Sequence, residues 1–403
     1  MHSTMQGRKI LFGVTGSIAA FKAAGWVSSL AKEEAQVTVI MTESATRFVT
    51  PLTFGALSGN HVSTDMFSTK AEEMMAHITL SGDADVILIA PATAQTLARL
   101  AHGMADNLLA AAVLAAAAPV VICPAMNAKM LAHPATQRNL ATLQELGYII
   151  VEPESGPLAC GEVGSGRLAE WDTVREVLLG LCVEQDLVGQ QVLITAGPTR
   201  EALDPARYLS NRSSGKMGYA LARTAKRRGA EVTLISGPTN LPAPPGITMV
   251  QVVTAAEMAE AVKEQADDAS IIIKAAAVAD FKPKKVASLK IKKAGADLQL
   301  ELEPNQDILA TLGKERKSGQ LLVGFAAESN NHEAEGRRKL QAKKADLIVV
   351  NDILGKQSGF DVDTNQVTLI TRDDIEQLAL LSKEETANCI WNKVMTLKKV
   401  GRG

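Results

Sequence analysis

Residues able to do chemistry gather at a few points along the chain. In "SGPLACGEVGSGR" (Ser155–Arg167) a single thiol, Cys160, sits among Gly156, Gly161, Gly164 and Gly166. An unperturbed thiol, with a pKa of about 8.5, stays mostly protonated near neutral pH and can donate a proton. The glycines leave it little to pack against and give its segment room to move. "CPAMN" ends on Asn127, and "MAHITL" holds His77. Farther on, "SSGKMG" resembles a phosphate loop, but its upstream glycine spacing does not match one. "NQDILATL" places Asn305 and Asp307 at a helix start, where free N–H groups suit a phosphate. Lys339 and Lys343 stand four apart in "RRKLQAKK", on one helix face. Taken singly, each has an ordinary explanation: an incidental cysteine in a loop, an Asn in a turn, a structural histidine, a solvated basic face.

The elements that must hold these residues repeat one theme. "KILFGVTGS" (Lys9–Ser17) reads as a buried strand and a glycine turn, "IAAFKAAGWVSSLAKEEA" as a helix and "QVTVIMT" as a second strand. The turn at Gly16 and Ser17 leads into a helix N-terminus, which suits a phosphate. "ADVILIAPATA" (Ala84–Ala94) and "APVVICPAMN" (Ala118–Asn127) are again apolar strands followed by small-polar loops, as parallel strands buried on both faces require. After the helical "WDTVREVLLGLCVEQ" the pattern restarts with "GQQVLITAGPTRE". The division falls near Asp186–Gly189, giving domains 1–186 and 187–403. Each is expected to be a Rossmann-like, doubly wound α/β domain, with ligands beyond the carboxyl ends of the strands.

Bulk composition narrows the classes. The 403 residues are 46% apolar and 21% charged, as in ordinary globular protein. A net charge of −2 provides no overall basic field for nucleic acid or an anionic membrane. Four widely spaced cysteines make neither a zinc framework nor a dense disulfide scaffold. The N-terminus lacks the apolar core of a signal peptide, and the greasiest stretch, Leu108–Cys123, is broken by Pro119 and is too short to span a bilayer. A cytoplasmic enzyme or binding protein is expected.

"GSIAA", "MTESA", "APATA", "CPAMN" and "LACGEVGSGR", in that order and each at a strand end, resemble the flavin-dependent cysteine decarboxylases over about residues 7–180. The specific match is to phosphopantothenoylcysteine decarboxylases, and it implies that the first domain here is a flavodoxin-like flavoprotein domain, followed by a second with a mainly parallel sheet. The resemblance implies FMN, contacted by Gly16, Ser17, Thr42, Ser44, Thr53 and Thr93. Gln95 stands where the family often has Asn. A cysteinyl carboxylate has no electron sink for the carbanion left by carbon dioxide, and oxidation of CH₂–SH to a thioaldehyde by the flavin creates one. Family resemblance makes Cys160 the proton donor, Asn127 the holder of the substrate carboxylate, and His77 a positioning or proton-handling residue.

"LITAGPTREALDPARYLSNRSSGKMG" (Leu193–Gly218), "AAAVADF" (Ala275–Phe281), "LKIKK" (Leu289–Lys293), "NQDIL" and "GFAAES" resemble the phosphopantothenate–cysteine ligases over about 189–400. That family uses CTP to form an acyl-cytidylate, which the cysteine amine attacks. The resemblance implies Lys290 at the transferring phosphoryl. It also gives nucleotide contacts at Asp280, Asn305, Asp307, Ile308, Phe325, Lys339 and Lys343. Asn211 would act on the acyl-cytidylate, and Arg207 would bind a substrate anion. Mg²⁺ is expected on the substrate phosphates, with Asp280 as its protein contact. Together the halves imply a homo-oligomer of decarboxylase trimers and ligase dimers, up to a dodecamer, acting on small molecules alone. Two other readings stay open. A nicotinamide oxidoreductase suits two Rossmann-like halves but lacks G-x-G-x-x-G, and a flavin-binding regulatory subunit would not need His77, Asn127 and Cys160 together.

Overall fold

The computed structural model describes residues 5–67, 75–159, 161–292, 299–328, 331–352 and 362–400. Cys160 lies outside them. Two compact units divide the chain, Ser3–Cys182 and one beginning at Val183.

In the first unit, β1 (Lys9–Val14), β2 (Gln36–Met41), β3 (Val62–Ser63), β4 (Val86–Ala92), β5 (Val120–Pro124) and β6 (Ile149–Ile150) form a parallel sheet in the order β3-β2-β1-β4-β5-β6. This is the doubly wound Rossmann order. Without the two-residue edge strand β3 it reduces to the flavodoxin-like order. Alternation along the strands feeds two cores. Ile10, Phe12 and Val14 pack with Trp26, Leu30 and Leu178 on one face, while Leu11, Ile87 and Ile89 pack with Leu97, Leu109 and Leu143 on the other. Both faces are covered by helices, so the strands read as continuous apolar runs. A hairpin of β7 (Glu154–Pro157) and β8 (Val163–Arg167) stands outside the sheet. The glycine-rich stretch is therefore a paired hairpin over its described residues.

The second unit repeats the order and adds to it. β9 (Gln191–Ala196) is followed by a hairpin of β10 (Arg200–Asp204) and β11 (Arg207–Ser210), then by β12 (Glu231–Ser236), β13 (Thr248–Gln251) and β14 (Ile271–Lys274). A second hairpin pairs β15 (Phe281–Pro283) with β16 (Leu302–Pro304). β17 (Leu321–Glu328), β18 (Leu347–Asp352), β19 (Thr364–Asn365), β20 (Val367–Ile370), β21 (Ile375–Gln377) and β22 (Leu381–Ser382) complete the strands. The main sheet runs β13-β12-β9-β14-β17-β18-β20-β21, parallel through β18 and antiparallel thereafter. Trp391, in the last helix, is fully buried, and its indole N–H donates to the Leu221 carbonyl and the Thr224 hydroxyl, both at 3.1 Å. That bond satisfies the polar edge of the largest side chain in the core.

Candidate active sites

In the first unit the ends of β1 and β4 meet where the strand order reverses. The buried Thr15 hydroxyl donates to the Pro91 carbonyl at 2.6 Å and accepts the Thr93 amide at 3.1 Å. Thr93 caps helix Ala94–Ala101, its Oγ1 accepting the Thr96 amide at 3.3 Å. The loop after β2 closes the same rim. A Cβ on Gly16 would lie 2.4 Å from the Ser44 Cβ, so only glycine lets the two loops approach. The Ser17 hydroxyl accepts the Ala19 amide at 3.3 Å, and the buried Thr42 hydroxyl has no hydrogen-bond partner. Thr53 is exposed, with its Oγ1 3.4 Å from that of Thr50. A strand-order switch point rimmed by small hydroxyls, with one left unsatisfied, is suited to a phosphorylated ligand.

Asn127 and the β7–β8 hairpin are brought together. The Asn127 Oδ1 accepts the Lys129 amide at 2.9 Å, capping helix Ala128–Ala132, and its Nδ2 donates to Glu162 Oε2 at 3.1 Å. The Met126 amide donates to the Gly166 carbonyl at 2.9 Å. The hairpin thus docks on the loop after β5, and Glu162 stands two positions beyond Cys160. His77 lies half-buried on a separate helix, Ala76–Gly82.

In the second unit a cavity of about 490 Å³ opens at the carboxyl ends of β14, β17 and β18. Asn211, Asp280, Asn305, Asp307 and Ile308 line it, with Phe325, Lys339 and Lys343. Asp307 caps helix Ile308–Glu315, its Oδ1 accepting the Ala310 amide at 2.8 Å, while Oδ2 bonds the Lys343 ammonium. Burial pushes this carboxyl up, but Lys343, the Ala310 amide and Lys274 together hold it below its usual range. The Asn305 amide donates to the Asp280 carbonyl at 2.8 Å and its side chain to the Ala279 carbonyl at 2.9 Å. The Asn211 Nδ2 donates to the Ala277 carbonyl at 2.9 Å. Gly215–Gly218 bring the N-terminus of helix Lys216–Arg227 to the same wall.

Two expected residues stand elsewhere. Lys290 is exposed and does not line the cavity. Arg207 is exposed, is ion-paired to the buried Asp204 at 2.5 Å and does not line the cavity. Among the described residues no three His, Cys, Asp or Glu side chains gather to cage a metal, and no helix is long and apolar enough to cross a membrane.

Two family models divide the sequence between them. Residues 1–182 match the flavoprotein family, and residues 187–397 match the DNA/pantothenate metabolism flavoprotein C-terminal domain. The chain is 47% identical over 400 residues to the coenzyme A biosynthesis bifunctional protein CoaBC of Bacillus subtilis, covering 98% of each. It belongs to the CoaBC family. The Escherichia coli member is 43% identical over 397 residues, again covering 98% of each chain. A crystal structure of the C-terminal domain of a CoaBC protein covers 54% of this chain and all of that one, at 44% identity and a TM-score of 0.46.

Against this CoaBC frame, several cavity residues escaped the sequence reading. Lys274 ends β14, is only 9% exposed and opens onto the cavity. Desolvation by burial lowers its pKa to about 8, against the opposing pull of Asp307 and Asp280. Its signal in the sequence is one charge closing the apolar run "IIIK". The carboxamide oxygens of Asn351 and Asn365, also at the cavity, are buried without a partner. Thr15 was visible only as part of a turn.

Proposed function

We propose that the chain carries out two consecutive steps of coenzyme A biosynthesis, with residues 187–403 as a CTP-dependent phosphopantothenate–cysteine ligase and residues 1–186 as an FMN-dependent phosphopantothenoylcysteine decarboxylase. The observation that carries the reading is the cavity of the second unit. It gathers Asn211, Asp280, Asn305, Asp307, Lys339 and Lys343 at the carboxyl edge of a doubly wound sheet, in a chain matched to CoaBC proteins along nearly its whole length.

In the ligation, the carboxylate of 4′-phosphopantothenate attacks the α-phosphorus of CTP, and pyrophosphate leaves. The cysteine amine then attacks the acyl carbon, and CMP leaves. Positioned cations and backbone donors lower such a barrier by stabilising developing charge. Lys339, Lys343 and the N-terminus of helix Lys216–Arg227 supply these at the cavity. Lys290, exposed between β15 and β16 and outside the cavity lining, is assigned by family resemblance to the charge that grows on the transferring phosphoryl. Asn211 orients the acyl carbonyl for the amine. A divalent cation, Mg²⁺, rides on the phosphate oxygens, and Asp280 is the carboxylate assigned to it.

In the first unit the hydroxyl rim fits FMN. The orphaned Thr42 hydroxyl and the cradle at Gly16 and Ser44 offer a polar, closely walled seat. Gly16, Ser17, Thr42, Ser44, Thr53 and Thr93 would hold the cofactor. Bound FMN supplies a reversible two-electron acceptor, so the substrate thiol is oxidised before carbon dioxide leaves and reduced afterwards. Asn127 holds the substrate carboxylate, His77 orients the cysteinyl end, and Cys160 delivers a proton to the carbon that lost carbon dioxide. Decarboxylase trimers and ligase dimers complete the reading, and the charged phosphorylated substrates place it in the cytoplasm.

The test is a coupled assay on purified full-length protein with 4′-phosphopantothenate, cysteine and either CTP or ATP. Pyrophosphate and carbon dioxide should appear in equal amounts with CTP, and the protein should show a flavin spectrum. A colourless protein that takes up no FMN ends the decarboxylase reading, and absence of CTP-dependent pyrophosphate ends the ligase reading.

A further inference from the structure

Two hairpins stand at the rim of the second unit's cavity, and one buried carboxylate joins them. The β10–β11 hairpin leads directly into Asn211. The β15–β16 hairpin begins just after Asp280 and ends just before Asn305. All three flanking residues line the cavity. The turn of the first hairpin holds Asp204, whose side chain is 0% exposed. Its Oδ1 accepts the amides of Ala206 at 2.8 Å and Arg207 at 2.9 Å. Its Oδ2 accepts Nε of Arg207 at 3.0 Å, Nη2 of Arg207 at 2.5 Å and the Ile291 amide at 3.0 Å. The same Arg207 nitrogen, Nη2, donates to the Ile291 carbonyl at 2.7 Å, and the Ala287 amide donates to the Leu203 carbonyl at 3.0 Å. The loop of the second hairpin is therefore stitched to the turn of the first at Ala287 and at Ile291, the residue after Lys290.

We propose that Asp204 is a positioning residue of the ligation step, fixing the backbone that carries Lys290 relative to the Asn211 arm of the cavity. The proposal rests on the ligase reading and on the role given there to Lys290. A lysine ammonium hangs on a long flexible stem, so where it acts depends on where its backbone is held. A misplacement of about 1 Å can cost on the order of a hundredfold in rate. Ile291, the next residue, is held at its amide by Asp204 and at its carbonyl by Arg207, so the clasp fixes the backbone on which Lys290 stands. The charge on Asp204 is essential to that clasp. Asp204→Asn keeps the size of the side chain, but its amide would aim donors at the Arg207 and Ile291 donors.

The experiment uses full-length protein and a double-mutant comparison of Asp204→Asn and Lys290→Gln, reading CTP-dependent pyrophosphate release with 4′-phosphopantothenate and cysteine. Asp204→Asn should lower kcat by about tenfold while KM for CTP moves by less than about threefold. On the Lys290→Gln background the same change should cost less than about twofold more, because the two act as one unit. Thermal unfolding and CTP binding report whether the unit still folds. If Asp204→Asn does not fold, Asp204→Glu keeps the charge but carries the carboxylate one methylene farther, so it cannot hold all five of these donors, and it takes the same test with the same expected loss. An unchanged kcat overturns the proposal. So does a loss that multiplies in full onto Lys290→Gln, which would make Asp204 a support of the fold alone. If the unaltered chain releases no pyrophosphate, the ligase reading itself fails, and the proposal falls with it.

Discussion

Lys274 ends a strand of isoleucines with an ammonium that burial disfavours. Its pKa in the folded chain falls from 10.5 to about 8. Between those values the unfolded chain binds a proton that the folded chain does not, so this group's contribution to stability rises with pH across that window. Below about pH 8 the full penalty remains, on the order of 3 kcal/mol from the size of the shift. Lys274→Met should therefore stabilise the second unit at pH 7, and the gain should shrink as pH rises toward 10.5. Denaturant unfolding of both proteins at several pH values measures it; a gain that does not vary with pH would remove the desolvation argument. At this scale the sequence revealed unevenly. Asp307, Lys339 and Lys343 were legible because motif strings carry them, and the fold brings them to one cavity. Lys274 was not, because the burial of a lysine is decided by what packs over it. Placing Lys290 and Arg207 likewise required knowledge of the Asp204 clasp, which joins residues more than eighty positions apart.

Strands buried on both faces announce themselves as apolar runs, which is why β1, β4, β5 and β9 could be read from their runs and the turns that follow. The small hairpins could not. "REALDPARYLS" has no apolar alternation, and its pairing depends on buried Asp204 and a tertiary partner. The β7–β8 hairpin was hidden by its glycines, which read as a loose segment. One of them explains how it docks. Gly166 has φ +130°, and a Cβ there would meet the Met126 carbonyl oxygen at 2.2 Å. Gly166→Ala should thus unhook the hairpin from the Asn127 loop, at a local cost of about 1–3 kcal/mol. Decarboxylation of supplied substrate should fall while the flavin spectrum and pyrophosphate release persist. Retained decarboxylation would mean that the docked position of the hairpin is not the working one.

Each unit has its own hydrophobic cores. Damage at one site should therefore leave the other standing. Cys160→Ser should keep its flavin and its ligation but accumulate 4′-phosphopantothenoylcysteine. Lys290→Gln should decarboxylate that compound when supplied but make it only at a small residual rate. The two proteins, purified separately and mixed, should then convert 4′-phosphopantothenate to 4′-phosphopantetheine together, because the product of one is a free small molecule that the other accepts. Carbon dioxide release from the mixture, after a lag while the intermediate builds up, is the measurement. A mixture as inactive as its parts, with each half still active on its own substrate, would show that the intermediate passes only within one chain or one assembly.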